Sequence, residues 1–180
     1  MLLLRLSSIF IYLHTIANNR MTELTIGSKA PLFTLPNRDN DPISLEKALQ
    51  GNWLVLYFYP KDDTPGCTIE AQDFTKLYSE FVKQKAPVFG ISPDSPKSHC
   101  KFFEKQKLNH ITLLSDEKHT VLEQYNVWGK KKFMGREYLS VLRTTFLLNP
   151  QGKIAWIWRD VNVKDHAADV LAKVKELQRM

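Results

Sequence analysis

One cysteine in this 180-residue chain stands in a segment that could make it reactive. Cys67 lies in YPKDDTPGCT, after an apolar run and before a run with helical spacing. A helix N-terminus carries about half a positive charge and unpaired N–H groups, so it favours a thiolate over a thiol. Thr64 adds a hydroxyl, Pro60 and Pro65 stiffen the loop, and Gly66 permits close backbone approach. The segment predicts either a nucleophilic cysteine or an ordinary buried one.

The residues that flank this loop predict the elements that position Cys67. Residues 53–59, WLVLYFY, are typical of a strand buried on both faces, and the run ends at Pro60. Apolar residues at helical spacing predict one amphipathic helix over residues 67–82, with Cys67 on its inner face in the first turn. In open α/β sheets, the crevice at such a strand–loop–helix junction is where ligands bind.

Further strands and helices alternate along the chain. Strands are predicted at residues 32–35, 87–92 and 111–114, and a hairpin at 144–148 and 154–158 around the turn NPQG. Residues 43–49 fit a strand or a short helix, and residues 128–138 a basic, glycine-containing loop. Helices are predicted from the Ser95 N-cap to about Leu108, over residues 117–125, and along the apolar stripe that begins at Ala167. This order predicts an α/β sandwich with a central mixed sheet flanked by helices.

Length and the first residues set the domain organisation. A chain of 180 residues fits one domain with an appendage. Residues 1–20 are apolar but interrupted by Arg5, and the stretch from Ser7 to Ala17 is too short and too polar to span a membrane. The segment is also poorly formed as a secretion signal. We interpret residues 1–20 as an N-terminal extension outside the fold and residues 21–180 as the domain.

Charge and histidine spacing exclude some functions. The net charge is +6, and the densest basic run is Lys130, Lys131 and Lys132, with Arg136 close by, which we interpret as a solvated loop. The other charges alternate in sign and lack interleaved aromatic residues, so nucleic-acid binding is not predicted. The histidines have no metal-ligand spacing, so no metal site is predicted and we interpret them as surface residues.

From Thr22 onward the sequence resembles the peroxiredoxins, within them the bacterioferritin comigratory protein or peroxiredoxin Q branch. The resemblance rests on motifs that occur in the same order: IGSKAPLFTLP, YFYPKDDTPGCTIEA, FGISPDSP, LLSDE, YNVWGKK, FMGREY and RTTFLLNPQGKI. It implies a thioredoxin-like sandwich and an antioxidant, thiol-dependent peroxidase without a cofactor. Its substrates would be hydrogen peroxide and organic hydroperoxides.

The resemblance also implies roles for single residues. Cys67 would be the peroxidatic cysteine, whose thiolate attacks a peroxide oxygen and becomes a sulfenic acid. Thr64 would hydrogen-bond the peroxide, Pro60 would shield the pocket, and Arg143 would polarise the thiolate and the leaving oxygen. Without the resemblance, we would interpret Arg143 as an exposed arginine at a strand edge.

The second cysteine departs from the pattern of this branch. Many members carry a resolving cysteine where Gln72 stands here, and others at a position that aligns with Phe103. Cys100 lies three residues before Phe103, on nearly the same helical face one turn back. It is either a resolving cysteine or a structural thiol; in the second case, an outside thiol recycles a one-cysteine enzyme.

The expected partners follow from the same resemblance. Thioredoxin, glutaredoxin or a small thiol would re-reduce a monomeric enzyme that binds neither nucleic acid nor membrane. The protein would be cytoplasmic, and periplasmic or exported only if residues 1–20 are a signal. Two other functions compete: a thioredoxin-like disulfide reductase, disfavoured by the lack of Cys-x-x-Cys, and a redox-sensing binding module.

Overall fold

A computed structural model describes residues 23–133 and 135–179. The interpretation of residues 1–20 as an extension lies outside the described residues. The strands are β1 (Thr34–Pro36), β2 (Pro42–Ser44), β3 (Leu54–Phe58), β4 (Val88–Ser92), β5 (Thr112–Ser115), β6 (Trp128–Phe133), β7 (Arg136–Val141), β8 (Thr144–Leu148) and β9 (Ile154–Trp158). The helices are α1 (Leu45–Leu49), α2 (Pro65–Lys76), α3 (Tyr78–Lys83), α4 (Pro96–Lys105), α5 (Thr120–Gln124) and α6 (His166–Leu177).

Five strands form the central sheet in the order β5-β4-β3-β8-β9. Strand β3 runs parallel to β4, and β4 parallel to β5, whereas β8 is antiparallel to both of its neighbours, β3 and β9. The prediction of an α/β sandwich with a central mixed sheet is therefore confirmed. Strands β8 and β9 form the hairpin predicted around NPQG.

The central strand β3 is buried on both faces, as its unbroken apolar sequence predicts. Side chains alternate along a strand, so Leu56 and Phe58 enter one hydrophobic cluster while Val55 and Tyr57 enter the other. Cys67 belongs to the second cluster. The sheet thus forms one wall of the environment of Cys67.

The helix predicted over residues 67–82 is wrong as a single element. The chain forms α2 and then α3, separated at Leu77, whose φ of −92° and ψ of 4° lie outside the helical range. Leu77 still packs against the same hydrophobic cluster as Cys67. Apolar periodicity reports which face of a segment is buried, and it persists across such a break.

The loop predicted over residues 128–138 is also wrong. Strands β6 and β7 form an antiparallel ribbon in which Lys130 faces Leu139 and Lys131 faces Tyr138. Gly135 adopts a φ of 79° between the two strands. Lysine is depleted in strands, which hides this ribbon from a reading of the sequence.

Smaller differences concern helix ends and histidines. Residues 43–49 contain both predicted alternatives, the end of β2 and α1. The Ser95 N-cap is confirmed, since its hydroxyl accepts from the Ser98 N–H at 3.3 Å, but α4 ends at Lys105, before the predicted Leu108. His99 and His166 are buried, so the interpretation of the histidines as surface residues is wrong for these two. Within residues 23–133 and 135–179, no helix is long and apolar enough to cross a membrane.

Candidate active site

Cys67 lies in the first turn of α2, with its side chain buried. Thr64 is the N-cap in extended conformation, and its carbonyl accepts the first helical bond, from the Thr68 N–H at 2.9 Å. Pro65 occupies the first helical position, where the absence of an N–H costs nothing. As in any first turn, the N–H of Cys67 has no acceptor within the helix. The helix end therefore favours negative charge on the sulfur.

Arg143 is the cation nearest to that sulfur in the described structure. It lies between β7 and β8, and its Nη2 donates to Sγ of Cys67 at 3.2 Å, while its Nη1 donates to the Glu70 carboxylate. Burial disfavours the charged guanidinium, but negative charge on Glu70 and Cys67 outweighs this and raises the pKa of Arg143. A permanent positive charge thus bridges a thiol and a carboxylate.

Glu70 is a site residue that the sequence reasoning missed. It follows Cys67 by one helical turn, and its side chain is completely buried, with Oε1 lacking a hydrogen-bond partner. Burial raises the pKa of Glu70 to about 7, against the opposing pull of Arg143. The available signal was an acidic residue on the apolar inner face of the helix, between Cys67 and Phe74.

Thr64 and Pro60 occupy the loop that leads into α2. The Thr64 hydroxyl donates to the carbonyl oxygen of Lys61 at 3.1 Å, so it closes the loop in this structure. Pro60 directly follows β3 and is half-buried. The structure thus brings Cys67 and Arg143 into contact and places Thr64 and Pro60 in the adjoining loop.

Tyr57 belongs to the same buried cluster as Cys67. Its ring stacks on Phe74 with 4.9 Å between centroids, and its hydroxyl has no hydrogen-bond partner. Burial, followed by the charges of Glu70 and Cys67, raises the pKa of Tyr57. A Cβ at Gly90 would come within 2.4 Å of the Tyr57 ring, so glycine is required there. The raised pKa keeps Tyr57 uncharged, and its aromatic ring packs in the cluster that contains Cys67.

Cys100 lies on α4 in a different environment. Its side chain is partly exposed, and Sγ donates to Oε1 of Glu104 at 3.5 Å. Desolvation, together with the hydrogen bond and charge of Glu104, raises the pKa of Cys100. Phe103 is covered by the Arg38 guanidinium, 3.7 Å above its ring. Both cysteines are free thiols in the structure.

Residues 23–133 and 135–179 contain no group of three His, Cys, Asp or Glu side chains that could hold a metal ion. The reactive group that the geometry offers is the Cys67 sulfur itself. An arginine that donates to a cysteine in the first turn of a helix is the arrangement of a nucleophilic cysteine.

Comparisons with known proteins give the family. The AhpC/TSA family model matches residues 26–157. The chain is 42% identical over 154 residues to peroxiredoxin Bcp of Bacillus subtilis, covering 86% of this chain and 97% of that protein. It is 42% identical over 156 residues to peroxiredoxin Bcp of Escherichia coli K12, covering 87% of this chain and 99% of that protein.

Solved structures agree with this assignment. A structure of Xanthomonas campestris bacterioferritin comigratory protein, studied for its alkyl peroxide reduction, superposes with a TM-score of 0.75 at 41% identity. The match covers 80% of this chain and 90% of that one. The chain therefore belongs to the AhpC/TSA family of peroxiredoxins, thiol-dependent peroxidases with a thioredoxin-like fold, as the motifs predicted.

Proposed function

We propose that Cys67 is the peroxidatic cysteine. Its thiolate attacks one oxygen of a hydroperoxide, a sulfur–oxygen bond forms, and the oxygen–oxygen bond breaks. The departing oxygen takes up a proton and leaves as water or alcohol, so that Cys67 is oxidised to a sulfenic acid while the peroxide is reduced. The observation that carries this proposal is the Arg143 guanidinium donating to Sγ at 3.2 Å.

The charges of the site suit this displacement. Negative charge starts on Cys67 and moves to the departing oxygen, and Arg143 together with the first-turn N–H groups of α2 lies beside the starting point. Donors fixed in a buried site stabilise such charge without reorganising. Glu70 tethers the other nitrogen of the guanidinium and so orients it.

Thr64 and Pro60 complete the proposed peroxide pocket. The Thr64 hydroxyl has one proton, which now goes to the carbonyl oxygen of Lys61. Turning that proton towards a bound peroxide would add a donor for the substrate oxygen. In this proposal, Pro60 restricts access of water to the thiolate. Hydrogen peroxide and organic hydroperoxides both carry the weak oxygen–oxygen bond that this arrangement attacks.

An outside thiol completes the proposed cycle. The sulfenic acid forms a mixed disulfide with one thiol and loses water, and a second thiol then restores Cys67. Thioredoxin, glutaredoxin or a small thiol can supply these electrons. Because Cys67 is only 1% exposed, the site must open before another thiol reaches its sulfur.

Cys100 is the alternative resolving thiol. A disulfide with Cys67 requires Cα atoms within about 7 Å, so parts of α2 and α4 would have to loosen. Desolvation, followed by the hydrogen bond to Glu104, raises the pKa of Cys100 and so favours the thiol, which is less reactive than the thiolate. This environment favours the outside thiol. We further propose that the enzyme acts as a monomer in the cytoplasm, where such thiols are maintained.

Peroxide turnover and peptide mapping test the proposal together. The parent, Cys67→Ser and Cys100→Ser are each given hydrogen peroxide or an alkyl hydroperoxide. Turnover is measured with dithiothreitol, glutathione or thioredoxin as the reductant. We expect Cys67→Ser to be inactive and Cys100→Ser to stay active with no Cys67–Cys100 peptide in the parent. A redox sensor would oxidise once and stop, and a disulfide reductase would act without peroxide; either result would refute the proposal.

A further inference from the structure

A second buried polar cluster adjoins the site, and the mechanism above does not use it. The Asp62 carboxylate accepts three hydrogen bonds: from the Tyr59 hydroxyl at 2.8 Å, from the Ser98 hydroxyl at 2.8 Å and from Nδ1 of His99 at 2.9 Å. The side chain of Asp62 is 4% exposed and that of His99 is not exposed at all. We call these four residues the Asp62 latch.

The latch joins the two segments that carry the cysteines. Tyr59 and Asp62 belong to the loop between β3 and α2, which contains Pro60 and Thr64 and leads directly to Cys67. Ser98 and His99 lie in the first turns of α4, and Cys100 is the next residue along that helix. Through the latch, the loop before Cys67 and the start of α4 are held as one unit.

Neighbouring contacts hold the same loop at two more points. The Asp62 N–H donates to Oδ2 of Asp94 at 2.8 Å, just beyond the end of β4. Asp63, at a left-handed φ of 58°, accepts from Lys105 and from Nε2 of Gln106 at 2.7 Å, at the other end of α4. The loop therefore contacts α4 at both ends: Asp62 bonds to its first turns, and Asp63 bonds to its C-terminal end. Of these two aspartates, Asp62 is the buried one.

Packing alone does not explain His99. Its Nε2 is buried without a hydrogen-bond partner, a state that is unfavourable and uncommon in folded proteins. Apolar side chains of similar size commonly stabilise a core as well as a buried polar pair does. What His99 contributes beyond volume is its Nδ1 contact with Asp62. The hydrogen bonds of a buried polar cluster favour one arrangement of the groups that they join.

We propose that the Asp62 latch is a positioning device that sets the balance between the two half-reactions of Cys67. When it is closed, the loop holds Pro60 and Thr64 against the start of α2, which is the arrangement that reacts with peroxide. When it is open, loop and α4 separate and the buried sulfur becomes accessible to a thiol. This inference rests on the proposed function of Cys67, and it makes His99 a positioning residue.

Opposite changes in two rates distinguish this role from a general loss of stability. In a Cys100→Ser background, His99→Leu removes the Nδ1 contact, and His99→Asn retains a donor at the Nδ1 position. His166→Leu is the control for the loss of a buried histidine, because His166 is also buried but its Nε2 bonds to the Thr145 hydroxyl at 2.8 Å and not to a residue of the latch. Rapid quenching and intact mass give the rate of sulfenic acid formation by hydrogen peroxide and its rate of reduction by glutathione.

The latch predicts that His99→Leu slows sulfenic acid formation and speeds its reduction, each by about tenfold, a factor typical of a lost hydrogen bond to a charged group. His99→Asn should restore both rates, and His166→Leu should leave their ratio unchanged. If both rates of His99→Leu fall together, or if His99→Asn behaves like His99→Leu, the latch is refuted.

Amide hydrogen exchange separates this inference from the proposed function, because it needs no turnover. In His99→Leu, residues 61–66 and residues 96–105 should exchange faster together, whereas His166→Leu should leave both segments protected. Faster exchange in only one of the two segments would refute the latch even if Cys67 is peroxidatic. Failure of peroxide to oxidise Cys67 in the parent would refute the proposed function. The exchange data would still show whether His99 joins the loop to α4.

Discussion

The two cysteines of this protein occupy environments of opposite sign. Cys67 is buried at a helix N-terminus with the Arg143 guanidinium 3.2 Å from its sulfur. Cys100 is more exposed, yet its sulfur faces the Glu104 carboxylate at 3.5 Å, and its pKa is raised. Exposure alone would select Cys100 as the reactive thiol. The charges around the sulfur atoms select Cys67, and the following predictions test that contrast.

Removing the cation at Cys67 should have the largest effect. Arg143→Gln keeps a hydrogen-bond donor but removes the positive charge, so we expect the rate of Cys67 oxidation by hydrogen peroxide to fall by roughly 100-fold or more. Stopped-flow oxidation under excess peroxide measures this rate. The control is Arg159→Gln, since Arg159 bonds to the Leu24 carbonyl oxygen instead. Equal rates for Arg143→Gln and the parent would contradict the claim that the charge of Arg143 makes Cys67 the reactive thiol.

The buried carboxylate beside Arg143 should appear in the pH dependence of stability. Burial raises the pKa of Glu70 to about 7 from 4.5, so between these values the folded protein holds a proton that the unfolded chain has lost. The contribution of Glu70 is therefore complete below pH 4.5 and is lost as the pH rises through 7. A shift of this size corresponds to at most about 3 kcal/mol.

Urea unfolding at pH 5 and pH 8 tests this prediction for Glu70. The free energy of unfolding should fall between these two pH values by up to about 3 kcal/mol more in the parent than in Glu70→Gln. Glu123→Gln, an exposed glutamate, should keep the slope of the parent. An identical slope in the parent and Glu70→Gln would contradict the assignment.

Changing the anion at Cys100 should have the smallest effect. Glu104→Gln removes a negative charge from the neighbourhood of the thiol, so the pKa of Cys100 should fall towards its usual value. Alkylation of Cys100 by iodoacetamide at pH 8 should then be a few times faster, because more thiolate is present. Glu117→Gln provides an exposed control on another segment. A slower reaction in Glu104→Gln would show that its charge does not restrain Cys100.

The sequence predicts the fold where a single physical signal dominates. The apolar run predicted β3, because a strand buried on both faces is apolar throughout. The NPQG turn predicted the hairpin of β8 and β9, because tight turns require particular residues. The sequence did not predict the ribbon of β6 and β7, because lysines occupy its strand positions. It also did not predict the break at Leu77, because the apolar spacing continues across it.

Some features of the site could likewise be predicted from the sequence, and others could not. Its cysteine, threonine and prolines lie within one loop and one helix start, so a local motif contains them. The contacts of Arg143 with Cys67 and Glu70 join residues that lie 76 and 73 positions apart in the sequence. His99 gave no signal because its partner Asp62 lies 37 residues away. Local patterns cannot report contacts that exist only after the sheet has formed.

Competition between the two thiols within one molecule tests the central claim most directly. The reduced protein receives one tenth of an equivalent of hydrogen peroxide, remaining thiols are alkylated, and peptide mass spectrometry quantifies oxidation at each cysteine. The account predicts that oxidation occurs at Cys67, at least about 100-fold in excess over Cys100, because only Cys67 has stabilising charge at its sulfur. Comparable oxidation of the two cysteines, or preferential oxidation of Cys100, would contradict it.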